Sequence, residues 1–207
     1  WVVNGWYASG AHKHWPPRTR AKTLYIGLHA NDPDAIPRHA ATPIGCRDPW
    51  TIHLCARHGI DAWLSWCATL TLEPTYGPRT DDVLLVDVAP QDLERLPPRI
   101  VAGTKLTHTV PRDCDRIAEA TRRLNLYARA RWVVTNRLHV LLPCAAMGTP
   151  VVFVRPPNSE NRYTGYAHLG WRIADAPWDE PRPKLAPDLV HAMASPLRDA
   201  VRRFVES

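Results

Sequence analysis

The sequence predicts an α/β protein of two Rossmann-like lobes, each built on a parallel sheet. Three observations carry that prediction. Short apolar runs rich in β-branched residues alternate with helix-length stretches, the pattern of βαβ units. Two of these alternations share a plan, in which a strand runs into an arginine at the head of a helix. Between them lies Glu73-Pro-Thr-Tyr-Gly-Pro-Arg-Thr-Asp-Asp82, rich in turn residues and without periodicity, the best linker in the chain. The lobes are placed at residues 1–78 and 79–207. Because Trp1 opens directly in an apparent strand, the first lobe is expected to be N-terminally incomplete.

In chain order, Val2-Val3 and Thr23 to Leu28 read as strands, with His29 at the end of the second. Ile44 to Cys46 leads into Arg47. Asp48 is then a good N-cap and Pro49 a good first helical residue. The helix runs to about Arg57, Gly59 stops it, and Ile60 to Leu64 is the next strand. Past the linker, Val83-Leu-Leu-Val-Asp-Val88 has the unbroken apolar character of a central parallel strand. Asp113 is positioned to cap a long helix with Ile117, Ala120, Thr121, Leu124, Tyr127 and Ala128 on one face. Trp132 to Thr135 is a strand, Leu138 to Met147 a helix ended by Gly148, and Val151 to Val154 another buried strand. Pro177 to Pro187 reads as a surface loop, and Ser195-Pro196 as the start of a last helix.

The composition narrows the class. With 207 residues, 45% hydrophobic and 22% charged, the chain is an ordinary globular protein with volume for a substantial core. No apolar run reaches membrane-spanning length and no signal-peptide layout is present, so a cytoplasmic location is expected. Five cysteines without CxxC spacing suggest neither a zinc site nor a disulfide framework. The net charge of +6 and a pI near 9.3 point to anionic partners. The basic residues are scattered and no nucleic-acid motif occurs, which argues against nucleic acid. An anion-binding cleft, or peripheral contact with an inner-membrane surface, accounts for the charge.

Arg137 and His139 fall at the head of a helix, just past the carboxyl end of a strand. Open α/β sheets bind ligands there, and helix N-termini favour anions. Arg47 holds the equivalent position upstream. Arginine's planar fork suits both carboxylate and phosphate, so Arg47 and Arg137 are expected to face one cleft. His139 has the titration range of a general acid or base. His29 is a further binding candidate, weighed against core packing. His108 is a weaker one, Asp87 reads as structural, and Arg162 lies in a loop that can reach a ligand or remain solvated. Trp6, Trp15 and Trp66 are the tryptophans nearest these motifs and can offer sugar-stacking faces, although most tryptophans here are expected in the core. No metal-ligand spacing and no glycine-rich nucleotide fingerprint occurs.

Several blocks in order resemble the polysaccharide pyruvyl transferase family. They are Ile44-Gly-Cys-Arg-Asp-Pro-Trp-Thr, Gly59-Ile-Asp-Ala, Cys67-Ala-Thr-Leu-Thr-Leu72, Val134-Thr-Asn-Arg-Leu-His139 and Pro143-Cys-Ala-Ala-Met-Gly-Thr-Pro-Val-Val152. Val3-Asn-Gly-Trp6 and Trp15-Pro16 also fit, so the resemblance runs from Val3 to about Gly165. Trp66 departs from it, standing where the family usually has a small residue. The resemblance implies a GT-B-like pairing of the two lobes. It also implies transfer of the enolpyruvyl group of phosphoenolpyruvate onto two hydroxyls of a sugar, giving a pyruvate ketal. Arg47, Arg137 and His139 then belong to the phosphoenolpyruvate pocket, and His29 matches a histidine of the family. The acceptor would be a glycan or lipid-linked saccharide for a surface polysaccharide or exopolysaccharide, with no cofactor beyond the donor. Two other readings fit the architecture: a GT-B nucleotide-sugar glycosyltransferase, and a truncated anion-binding remnant without catalysis.

Overall fold

The computed structural model describes residues 1–7, 21–31, 36, 43–73, 78–154, 161–163 and 165–207, with the backbone alone at positions 6, 7 and 162. It is a mixed α/β structure whose sheets are parallel. Its contacts divide the chain into two compact units. The first comprises Trp1–Thr71, Ser159–Tyr166 and His191–Ser207, and the second Leu72–Asn158 and Ala167–Val190. A single break between residues 78 and 79 is therefore not the division drawn by the contacts. Two C-terminal segments group with the first unit, and the expected linker groups with the second.

In the first unit, β1 (Val2–Val3) pairs with β3 (Leu24–Tyr25), and β2 (Trp6–Tyr7) with β4 (His29–Ala30). β5 (Ile44–Cys46) pairs with β6 (Ala62–Leu64). Leu28 joins these ladders, donating to the Gly45 carbonyl at 3.0 Å and accepting from the Arg47 amide at 2.7 Å. The strand expected over Thr23 to Leu28 is broken because Gly27 has a left-handed φ of +60°. Its N–H leaves the ladder for the Ser65 hydroxyl at 2.8 Å. A Cβ at Gly27 would lie 2.8 Å from the Asn4 side-chain oxygen, so the position excludes side chains by space as well as by torsion. α1 (Pro49–Arg57) follows β5, capped by Asp48 through the Thr51 amide and with Pro49 in its first turn. Leu54 and Cys55 of α1 pack on Val3, Tyr25, Leu28, Ile44 and Cys46 to form the core of this unit.

The second unit holds β7 (Val83–Val86), two single-turn helices α2 (Pro90–Leu93) and α3 (Pro98–Val101), β8 (Thr104–Leu106), α4 (Arg116–Arg129), β9 (Trp132–Thr135), α5 (Leu138–Ala146) and β10 (Val151–Phe153). The four strands form one parallel sheet in the order β10-β9-β7-β8. Leu85, Trp132, Val134 and Val152 lie in one buried cluster with Leu96 and Ile100. β9 is buried at every residue, as its unalternating apolar sequence requires.

Two helices depart from expectation. α4 is capped by Asp115, not Asp113, and Ile117, Ala120 and Thr121 are exposed. The buried positions are Arg123, Tyr127 and Ala128. Arg123 takes a core-facing place because its guanidinium is consumed by the Thr107 and Thr109 carbonyls and by Glu119. The last helix, α6 (Pro187–Glu206), begins eight positions before Ser195 and carries Pro196 inside it. Its stripe of Met193, Ala194, Leu197 and Ala200 is buried. That packing outweighs the hydrogen bond which proline removes. All five cysteines are free.

The expected linker contains a structural residue. Arg79 donates to the carbonyls of Ala128 (3.0 Å) and Gly148 (2.6 Å) and to the Thr149 hydroxyl (3.1 Å). It thereby satisfies orphan carbonyls at the ends of α4 and α5, where a cation is also favoured by the helix dipoles. Arg79→Ala should lower the unfolding free energy of the second unit by about 2–3 kcal/mol, since several carbonyls lose a charged donor at once. Urea titration followed by tryptophan fluorescence reads the effect.

Candidate functional site

The order β10-β9-β7-β8 means that the chain steps from β7 to β8 on one side, then crosses back through α4 to β9 on the other. The reversal lies between β7 and β9. In open parallel sheets the crevice at the carboxyl ends of such a pair is the usual ligand position. Asp87 follows β7, Thr107 and His108 follow β8, and Asn136 and Arg137 follow β9.

These residues are interlocked. One carboxylate oxygen of Asp87 accepts the Arg137 Nε–H at 2.8 Å and the His108 backbone N–H at 3.0 Å. Thr135 fixes the turn from both sides, donating its hydroxyl to the Val86 carbonyl and accepting the Arg137 amide, each at 3.0 Å. Asp87 itself has a left-handed φ of +51°. Strained torsions of this kind persist where surrounding structure over-determines them, and they cluster at functional sites. Burial pushes the Asp87 carboxyl up. The His108 amide, the Arg137 guanidinium and the Thr107 hydroxyl together outweigh it and hold the group below the usual carboxylate range. Burial, then the neighbouring Arg123, pushes the His108 imidazole below its ordinary value against the pull of Asp87. Asp87, expected to be only structural, therefore organises this edge, and His108 sits inside it.

Arg137 is the N-cap of α5 but provides no side-chain cap, and its side chain is half exposed. His139, the second residue of α5, is exposed and has non-helical torsions (φ −80°, ψ +16°). Pro143 explains this. A proline has no N–H for the carbonyl four residues earlier, and its ring clashes with that carbonyl, here the one of His139. The amides of Val140 and Leu141 both turn to the Arg137 carbonyl, at 3.1 and 3.0 Å. The first turn of α5 is thus a distinct loop that presents Arg137 and His139 outward.

In the first unit, the matching edge is buried. Asp48 has no exposed surface, and four donors or ring atoms converge on its carboxylate. The Thr51 amide and hydroxyl reach one oxygen, both at 2.9 Å. His29 Nδ1 at 2.7 Å and Arg47 Nε at 3.3 Å reach the other. Arg47 is 3% exposed, its carbonyl accepts the Tyr166 hydroxyl, and one of its terminal nitrogens has no partner among the described residues. Tyr166 also packs edge-on against Trp66 at a ring separation of 5.4 Å. Trp66 has φ +60°, the other left-handed non-glycine torsion among the described residues, and it too follows the carboxyl end of a strand.

The structure keeps Arg137 and His139 together in one turn, as expected from sequence, and gathers Arg47 and His29, expected at separate strand ends, around Asp48. His29 is wholly buried against Asp48, so its geometry is that of a support for Arg47. The two arginines belong to different units. The backbone of Arg162 forms part of a 3-10 turn, Asn161–Tyr163, while its side chain lies outside the described residues, as do Trp15 and the side chain of Trp6. Asp87 and Arg123 were missed as organising residues. The available signal was a carboxylate directly behind an apolar strand, and a Glu-to-Arg spacing of four along α4.

Unpaired buried polar atoms mark both edges. Besides the Arg47 nitrogen, His108 Nδ1 and Asn136 Oδ1 lack partners among the described residues. Such atoms are rare in folded proteins and call for an explanation, of which an unbound ligand is one. Among the described residues no group of histidines, cysteines and carboxylates is arranged to hold a metal ion. No helix among them is long and apolar enough to cross a membrane. The chain matches no family model, no curated protein and no solved structure.

Proposed function

We propose that the protein is a pyruvyl transferase that moves the enolpyruvyl group of phosphoenolpyruvate onto a sugar of a surface polysaccharide or exopolysaccharide precursor. The observation that carries the reading is the loop at the β7/β9 reversal. There a half-exposed arginine and an exposed histidine stand at a helix head, beside buried polar atoms without partners among the described residues. The same residues form the Asn-Arg-Leu-His block of the sequence resemblance, which also brings the expectation of two Rossmann-like lobes paired as in GT-B enzymes.

Phosphoenolpyruvate carries a carboxylate and a phosphate. Arg137 supplies a fork for one of them, oriented by Asp87, and the first-turn amides of α5 add their dipole. Arg47 enters this reading through the sequence resemblance alone, and within its own unit Asp48 and His29 hold its guanidinium in place. In the reaction a proton is added to the methylene carbon, and one sugar hydroxyl bonds to the adjacent carbon while giving up its proton to the group that supplied the first. The bond from that carbon to the bridging oxygen then breaks, phosphate leaves, and a second hydroxyl closes the ketal as its proton passes to the departing phosphate. His139, exposed at the helix head, serves one of these proton transfers in this reading. The donor is a substrate, and the scheme needs no cofactor. The acceptor is a glycan or lipid-linked saccharide on the cytoplasmic side, where the net positive charge favours peripheral contact with an anionic inner-membrane surface.

Phosphoenolpyruvate is expected to raise the melting temperature, by the equivalent of about 2.7 kcal/mol at a hundredfold excess over Kd. The shift should shrink as salt is raised, because charge pairing dominates the contact. Uridine and guanosine diphosphate sugars should do less. If they stabilise the protein while phosphoenolpyruvate does nothing, the glycosyltransferase reading replaces this one. If neither acts, the non-catalytic remnant does.

A further inference from the structure

At the amino edge of the second unit's sheet, opposite to Asp87 and Arg137, lies a cavity of about 360 Å³. Val83 and Trp132, the paired first residues of β7 and β9, line it. Four residues of strand, about 13 Å, separate it from the reversal site, so it is a different place in the fold. Trp132 and Trp178 both border it, their rings 5.2 Å apart and inclined at 48°. Trp178 is half-buried, whereas Trp132 is fully buried and its indole N–H has no partner among the described residues. Around this aromatic floor stand two ion pairs, Arg99 with Asp179 and Arg131 with Asp81, the latter at 3.9 Å.

We infer that this cavity is a binding site for a neutral saccharide of one or two rings. The volume lies at the low end of the roughly 300–1,000 Å³ typical of small-ligand sites. Each guanidinium around it is paired with a carboxylate, so the lining carries no net charge and does not select an anion. What it offers is the half-buried indole of Trp178, backed by the buried Trp132, for the C–H face of a sugar ring, with carboxylates to accept from hydroxyls and guanidiniums to donate to them. The chemistry is that of a polyhydroxylated, uncharged ring. The inference does not depend on the transferase reading, because it uses none of the residues at the reversal site.

The test is ¹⁹F NMR of 5-fluorotryptophan-labelled protein, with resonances assigned by single Trp→Phe variants. Maltose and methyl β-galactopyranoside are titrated as neutral probes, and inorganic phosphate and benzoate as anionic ones. At least one neutral probe should shift the Trp132 and Trp178 signals saturably, with a Kd of millimolar order that is insensitive to salt. Trp178→Ala should weaken binding at least about tenfold, while Trp178→Phe, which keeps an aromatic face, should weaken it far less. Arg99→Ala should weaken it measurably, and Arg137→Lys should leave it unchanged. The inference is overturned if neither saccharide shifts those two signals, if only the anions do, if Trp178→Ala binds as the parent does, or if Arg137→Lys abolishes binding.

Discussion

Asp48→Ala is expected to destabilise the first unit by about 3–5 kcal/mol, the cost of leaving one partner of a buried charge pair behind. The carboxylate is inaccessible, and Arg47 beside it is 3% exposed with one nitrogen unmatched among the described residues. Removing Asp48 takes away the bond to Arg47 Nε, the contact with His29 Nδ1 and the cap on the Thr51 amide together. Asp48→Asn retains a cap acceptor without the charge and should cost about half as much. Thr51→Ala, which removes one hydroxyl, should cost about 1 kcal/mol. Urea midpoints across the three variants give the ranking. Equal stability of Asp48→Ala and its parent would show that Arg47 finds another partner, and the cluster would lose its role as a support.

The second large effect is on turnover. His139→Gln keeps a hydrogen-bonding side chain of similar reach but removes the titratable proton. Turnover with phosphoenolpyruvate and an acceptor should fall about a hundredfold or more while donor binding survives. Arg137→Lys should act in the opposite manner. It retains charge but loses both the fork and the Nε–H bond to Asp87, so donor affinity should fall about tenfold. Binding by calorimetry and turnover by phosphate release separate the two. Parallel loss of binding and turnover in His139→Gln would make His139 a phosphate ligand. Normal turnover would transfer the proton-transfer role to another group at this edge, with His108 the nearest candidate.

Much of the site's framework was legible because it rests on local chemistry. Asp48-Pro49 could be read as a helix start, Gly59 and Gly148 as stops, and both have the expected left-handed torsions. β9 and β10 were visible as runs with no polar alternation. What escaped was whatever depends on partners distant in sequence. Arg123 reads as a solvated helix residue until the loop after β8 is seen to need donors for its carbonyls. Arg79 reads as part of a linker until the ends of α4 and α5 are placed around it. The start of α6 was misjudged because Ser195-Pro196 imitates a local start signal, whereas the buried stripe through Met193 and Ala194 runs straight across it. The burial of Arg47 belongs to the same class. Nothing within a few residues of it announces that Tyr166 will close over its carbonyl.

The first unit is discontinuous along the chain, and this bears on how the protein is made. Arg198 hydrogen-bonds the Thr71 carbonyl across 127 positions, and Lys22 stacks over the ring of Phe204. During synthesis the early strands must therefore wait until α6 has been made. The second unit has β7 to β10 complete long before then. Long-range closures are slow, and exposed parallel strands waiting for a late partner are prone to aggregate. The second unit should thus fold ahead of the first, with α6 setting the pace at which the first unit closes.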